Sequence, residues 1–163
     1  MIVVSDASAI IALSAIARLE LLQTLYQTIY IPDAVYQEIV SVEETKPGMS
    51  ELLAAPWILT RRVHNRPLVV ALHAALDGGE AEAIALATEI PADLLIMDER
   101  RDRRLAVQQG VAVLGLLGVL VAAKQAGLVP TPPPLLDVLR TTAGFHMSLP
   151  LYHTVLQTVG ETP

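Results

Sequence analysis

The chain has 163 residues, 53% hydrophobic and 17% charged, with a formal net charge of −6 and a pI near 5.1. Its acidity argues against a passive nucleic-acid coat protein. The absence of cysteine excludes disulfide and thiolate chemistry, and four scattered histidines make no zinc site of the usual His/Cys kind. The longest weakly charged run, 110–123, is shorter than the roughly 20 residues of a membrane span and is interrupted by glycines. The start, MIVVSDAS, has no basic leader. A cytoplasmic protein without a membrane segment is expected. The length suits one domain, or one domain with a small appendage. The apolar excess suits a parallel sheet buried on both faces, and an oligomer surface.

Ile2, Val3 and Val4 predict a short central strand that ends in Ser5-Asp6, followed by an apolar helix over 8–16. Asp6 therefore stands at the carboxyl end of a strand. It caps the helix, or Ser8 does and Asp6 is left for other work. Helix continues over 19–25, and a second strand runs over 28–31. Pro32-Asp33 then opens a helix to about residue 42, since proline fits a first turn and aspartate its positive end. Glu38 borders the apolar face of that helix, with Val35 and Val42 three before and four after it. It reads either as a half-exposed surface residue or as a carboxylate aimed along the sheet top toward Asp6. Residues 43–50 carry Pro47-Gly48, a loop signal. A short helix over 51–55 and an edge strand over 57–59 follow. Arg61, Arg62, His64 and Arg66 form a first basic patch, either a solvated loop or a phosphate contact.

A helix over 68–76 leads to the turn Asp77-Gly78-Gly79 and to the stretch that organises the chain, 79–104. An acidic helix start, Glu80 and Glu82, opens a small-residue helix that reaches Glu89 and stops before Pro91. The apolar strand 94–97 ends abruptly in Asp98-Glu99. Glu80 and Glu82 are two apart, about 200° around the helix, so they cannot both face one site. Glu80 is favoured because Gly79 leaves its approach uncrowded; Glu82 stays open. Ligands in open α/β sheets bind beyond the carboxyl ends of strands, where Asp6 and Asp98 both lie. The next helix carries Arg100, Arg101, Asp102, Arg103 and Arg104. It is either an exposed face with weak internal ion pairs or a basic rim for a polyanion. A strand over 111–114, a glycine-broken apolar helix over 115–127, a break at 130–134 and helices over 135–142 and 148–159 complete the chain.

Asp6, Glu38, Glu80 and Asp98 are the candidate cluster. Held close, four carboxylates repel, and a hard divalent cation with oxygen preference, Mg²⁺ or Mn²⁺, resolves that repulsion. Such an ion activates water and stabilises an in-line phosphoryl displacement. No serine–histidine–acid pattern, dinucleotide fingerprint or P-loop competes; Gly115-Leu116-Leu117-Gly118 lacks the required spacing.

The segments VVSDASAIIAL, IPDAVYQEIV, LDGGEAEAIALA and ADLLIMDERRDRRLA resemble PIN-domain proteins, in the branch near VapC-type toxin ribonucleases of bacterial toxin–antitoxin systems. The last segment continues into GVAVLGLLGVLVAAKQAGLV, and the tail contains GFHMSLPLY. The resemblance implies an α/β fold, a three-layer α/β/α sandwich with a mostly parallel sheet of about five strands. The expected division is a nuclease domain over 1–130 with a C-terminal helical appendage over 131–163. It further implies a metal-dependent endoribonuclease, RNA as substrate, a homodimer and an antitoxin partner. Carried over by residue, Asp6 matches the first strand-end acid and Glu38 the helix-borne acid after the second strand. Glu80 matches the acid that opens the later helix, with Glu82 as the alternative. Asp98 matches the acid after the fourth strand. Asp102, or else Glu99, matches a further acid, although a glycine is more usual at position 102 in the nearest branch. Arg100, Arg101, Arg103 and Arg104 are the expected RNA contacts. The alternative function is a catalytically silent PIN-like regulator that binds RNA or protein. A receiver-like phosphorylation switch is set aside because Asp6 has no paired acid beside it.

Overall fold

The computed structural model describes residues 1–41 and 48–128. The helices expected over 135–142 and 148–159, the break at 130–134 and the boundary at residue 130 lie outside the described residues. Short, mostly apolar runs form β1 (Val3–Ser5), β2 (Ile29–Pro32), β3 (Ile58–Arg61), β4 (Leu94–Ile96) and β5 (Val113–Leu114). Every pairing is parallel, and the strand order is β3-β2-β1-β4-β5. The strands expected over 28–31, 57–59 and 94–97 are present to within two residues at each end. That expected over 111–114 is shorter, although its Ala112 carbonyl still accepts the Leu95 N–H at 2.9 Å.

Side chains alternate across each strand, which divides the interior in two. Val3, Ile29, Ile31, Ile58 and Ile96 face α1 (Ala7–Ala15), α2 (Glu20–Tyr26) and α8 (Leu116–Gln125). Val4, Leu95 and Met97 face α5 (Arg66–His73), α6 (Gly78–Glu89) and α7 (Arg100–Gln108). The result is a three-layer α/β/α sandwich. α3 (Asp33–Val40) buries Val35 and Ile39 in the first core yet also packs on α6, and the short α4 (Met49–Leu53) follows it. Among the described residues no helix is long and apolar enough to cross a membrane.

Two helices place the site. In α6, Ala81, Ala83, Ile84, Ala85, Leu86 and Ala87 are all buried, because the helix lies against β1, β2 and β4 and also against α3 and α5. A helix apolar all round must be covered all round, and its alanines let α3 approach closely. α8 is continuous, so the expected interruption at Gly118 is absent. A Cβ at Gly118 would overlap the Leu114 side chain, so this glycine serves close packing of helix on strand.

β1 and β4 are neighbours, with Ser5 opposite Ile96. β2 lies on the other side of β1, so the chain reverses direction across the sheet between β1 and β4. Ligand crevices form above such a switch point. Asp6 and Asp98 leave the sheet at this place, and the Asp6 N–H donates to the Ile96 carbonyl at 3.1 Å.

Candidate metal centre

Asp6 follows β1 directly and is the N-cap of α1. It is 4% exposed. Its Oδ1 accepts the Ala9 N–H at 3.5 Å, the long limit of a hydrogen bond, so capping satisfies the carboxylate poorly. Burial pushes its pKa from 3.8 up to about 8; repulsion from Asp98 adds to this, the Ala9 N–H opposes it, and Glu38 and Glu80 raise it further. Both readings of Asp6 thus hold together: it caps, and it faces other acids.

Asp98 caps nothing on its own helix. Its Oδ1 reaches across to accept the Leu116 N–H at 2.7 Å, at the start of α8. The positive end of a helix favours a carboxylate there. Gly115 makes the approach possible, since a Cβ on it would lie 2.9 Å from that oxygen. Burial raises the pKa of Asp98, while the Leu116 N–H and the nearby Arg103 guanidinium pull it back.

Glu38 is exposed on α3, but its Oε2 lies where a Cβ of Gly79 would come within 3.2 Å. Partial burial, Asp77 and Glu80 raise its pKa, in that order. Glu80 sits in a capping box: its N–H donates to Asp77 Oδ1 at 2.8 Å, and its Oε2 accepts the Asp77 N–H at 3.1 Å. Glu82 points elsewhere. It accepts the Ala34 N–H at 3.2 Å and pairs with Arg66 at 3.2 Å. Of the two glutamates, Glu80 is the one beside Asp6.

Asp102 is 2% exposed although it lies in the first turn of an arginine-rich helix. Its Oδ2 is one of two buried side-chain oxygens without a hydrogen-bond partner among the described residues, the other being Ser14 Oγ. Burial, hydrogen-bond proximity to Glu80 and the charges of Glu80, Glu99 and Asp77 push its pKa up to about 7. One carboxylate oxygen from each of Glu80, Glu99 and Asp102 lies within 4.8 Å of the others. The tightest acidic group among the described residues thus joins Glu80 of the expected set to Asp102 and Glu99, the two alternatives for its further acid. Asp6 and Asp98 stand beside them as a second pair.

A family model described as a PIN domain matches residues 2–161. The chain belongs to the PIN-domain family. Its structure is similar to that of a PilT N-terminus domain protein from the hyperthermophilic archaeon Sulfolobus solfataricus P2. The TM-score is 0.60 at 22% identity, over 76% of this chain and 93% of that one, a likeness of fold. No curated protein matches the chain.

The two basic patches of this PIN domain differ in their contacts. Three members of the first patch have partners within the fold: Arg61 stacks over Tyr30 at 5.4 Å, Arg66 pairs with Glu82, and the His64 ring meets Glu89 at 3.3 Å, while Arg62 is exposed. Arg100, Arg101, Arg103 and Arg104 are exposed, and no ion pair within 4.0 Å engages them among the described residues. Arg100, Arg103 and Arg104 line an open groove with Val107, Gln108 and Val113. Asp77 was missed by sequence reasoning. The signal was present, since Asp77 and Glu80 have the spacing of a capping box.

Proposed function

We propose that this PIN domain is a divalent-metal-dependent endoribonuclease. The observation that carries the reading is Asp6: a buried carboxyl beside Asp98 at the sheet's switch point, with no cationic partner within 4.0 Å among the described residues. Buried charge needs compensation. The donor set is all oxygen, which fits Mg²⁺ or Mn²⁺. Asp6 and Asp98 would hold the ion, with Glu38 and Glu80 completing the acidic pocket and Asp102 bordering it. When bound, such an ion supplies activation of water and neutralises charge that develops on phosphoryl oxygens.

The protein's own groups do the rest. The Leu116 N–H fixes Asp98 Oδ1. Glu38, at the rim with a raised pKa, orients water and accepts its proton at the carboxylate. Arg100, Arg103 and Arg104 in their groove, with Arg101 on the same helix, contact the phosphate backbone. Such contacts hold a strand without reading its bases. They also offset the repulsion between RNA and a chain of net charge −6.

The finer reading is the toxin of a toxin–antitoxin pair, cytoplasmic and homodimeric, with an antitoxin covering apolar surface. The apolar composition supports it. Residues 131–163 are read as a helical appendage on the domain of residues 1–130. The test is cleavage of a mixed RNA pool with Mg²⁺, with Mn²⁺ and with chelator, beside Asp98→Ala. Metal-dependent cleavage lost in the variant is expected. Cleavage that survives chelator and the variant overturns the reading. No cleavage of any RNA favours the silent regulator.

A further inference from the structure

One face of α7 joins residues of unlike chemistry. Arg100, Arg103, Arg104, Val107 and Gln108 follow one another at helical spacing and form a single stripe. That stripe and Val113 of the edge strand β5 enclose an open groove of about 620 Å³. Pockets for small organic ligands span roughly 300–1,000 Å³. From Arg100 to Val107 the helix rises about 10 Å, so the groove has two distinct ends. One end is cationic and meets the acidic centre. Arg103 draws down the pKa of Asp98, and a Cβ on Gly115 would lie 3.5 Å from Arg103 Nη1 and 2.9 Å from Asp98 Oδ1. The lining of the other end carries no charge. Val107 is 61% exposed there, Val113 is half-buried, and Gln108 is exposed with no side-chain partner among the described residues. A lone exposed valine is ordinary. This one shares a groove with a second valine and a free amide.

We infer that this groove holds one unstacked nucleotide of the RNA and that Gln108 reads its base as adenine. The inference rests on the reading of the chain as a ribonuclease, and it assigns base recognition to residues outside the acidic centre. A nucleotide has the polarity of the groove: one anionic end and one flat, uncharged end. With its phosphate on Arg103 and Arg104, close to the acids, its base extends toward Val107 and Val113. Unstacked bases in single-stranded RNA lay their faces on side chains and guanidinium planes and leave their edges for hydrogen bonds. Gln108 offers an amide donor and acceptor side by side, the complement of the N6 amino group and N7 of adenine. The arginines alone would hold a strand without reading it. A protein partner fits less well, because two valines are too small a patch for the apolar core of a protein interface.

The experiment titrates the full chain into labelled hexaribonucleotides of a single base, adenine, cytosine, guanine or uracil, and follows fluorescence anisotropy. Low salt favours binding, and chelator prevents metal-dependent cleavage of the probes. Wild type is compared with Gln108→Ala, Gln108→Glu and Arg104→Ala. Both positions are exposed, so these variants keep the fold. Wild type should prefer the adenine hexamer to the uracil hexamer about tenfold, the scale of one bidentate pair. Gln108→Ala should remove that preference and leave uracil binding unchanged. Gln108→Glu should shift the preference to cytosine, whose amino group donates to a carboxylate. Arg104→Ala should weaken all four alike and lower the salt dependence. Equal binding of the four hexamers by the wild type, no binding of any, or an adenine preference that survives Gln108→Ala overturns the inference. An acidic Asp–Leu peptide that binds more tightly than every hexamer overturns it in favour of a protein partner. Adenine-selective binding lost in Gln108→Ala, with no metal-dependent cleavage of any RNA, upholds this groove and removes the nuclease reading. Metal-dependent cleavage by a chain whose binding is blind to the base does the reverse.

Discussion

Asp6 carries its charge at a position where folding opposes charge. In the unfolded chain it titrates near 3.8, and in the fold near 8. Between those values the folded state binds a proton that the unfolded state does not. Its contribution to stability is therefore complete below pH 3.8 and is lost as pH rises through 8. Asp102 acts in the same direction up to about 7. Denaturant unfolding in chelator should give a lower midpoint at pH 8.5 than at pH 5.5, with Mn²⁺ restoring much of the difference at pH 8.5. A midpoint that rises with pH in chelator would contradict the burial of these groups. Asp6→Asn keeps a capping oxygen and removes the charge. In chelator at pH 8.5 it should stabilise the fold by about 1–3 kcal/mol, the usual scale for a buried polar group left unsatisfied. At pH 5.5 the stabilisation should be smaller, because only part of the interval between the unfolded and folded pKa values has been crossed.

The elements decide which acids meet. α6 presents Glu80 to the cluster and turns Glu82 away, where Ala34 at the start of α3 and Arg66 at the start of α5 hold it. Glu82→Gln should therefore leave Mn²⁺ affinity unchanged and cost roughly 0.5–1.5 kcal/mol of stability, the range of one hydrogen-bonded contact. Loss of Mn²⁺ binding in that variant would reverse the assignment. Gly115→Ala is the corresponding test at α8. Its Cβ would crowd Asp98 Oδ1, so the Leu116 N–H bond must lengthen. Cleavage should fall by at least tenfold while the far-ultraviolet circular dichroism stays native; unchanged cleavage would show that Asp98 tolerates the shift. Asp6 and Asp98 were legible in the sequence because an apolar run ending in an acid marks a strand end. The choice between Glu80 and Glu82 was not legible from helical spacing. It turns on the Asp77 cap and on a contact with α3 from 48 residues away. The burial of Asp102 was not legible either, since its neighbours on both sides are exposed arginines.

Across the whole molecule, five short parallel strands bring acids from residues 6, 38, 80, 98, 99 and 102 to one end of the sheet. The fold was readable from the order of elements, because buried strands in an α/β protein are short apolar runs separated by helices. The division of the acids into a tight trio and a separate pair was not, because it depends on how α6 and α7 start beside each other. The apolar excess of the chain belongs to this scale too. Light scattering at micromolar concentration should give the mass of two chains, and a mass of one chain would count against the proposed homodimer. The metal centre itself is tested most directly by calorimetric titration of Mn²⁺ into wild type and Asp6→Asn at pH 8. The wild type should bind Mn²⁺ at a site that Asp6→Asn weakens by at least tenfold. Equal affinity and stoichiometry in the two proteins would contradict the assignment of Asp6 to the metal centre.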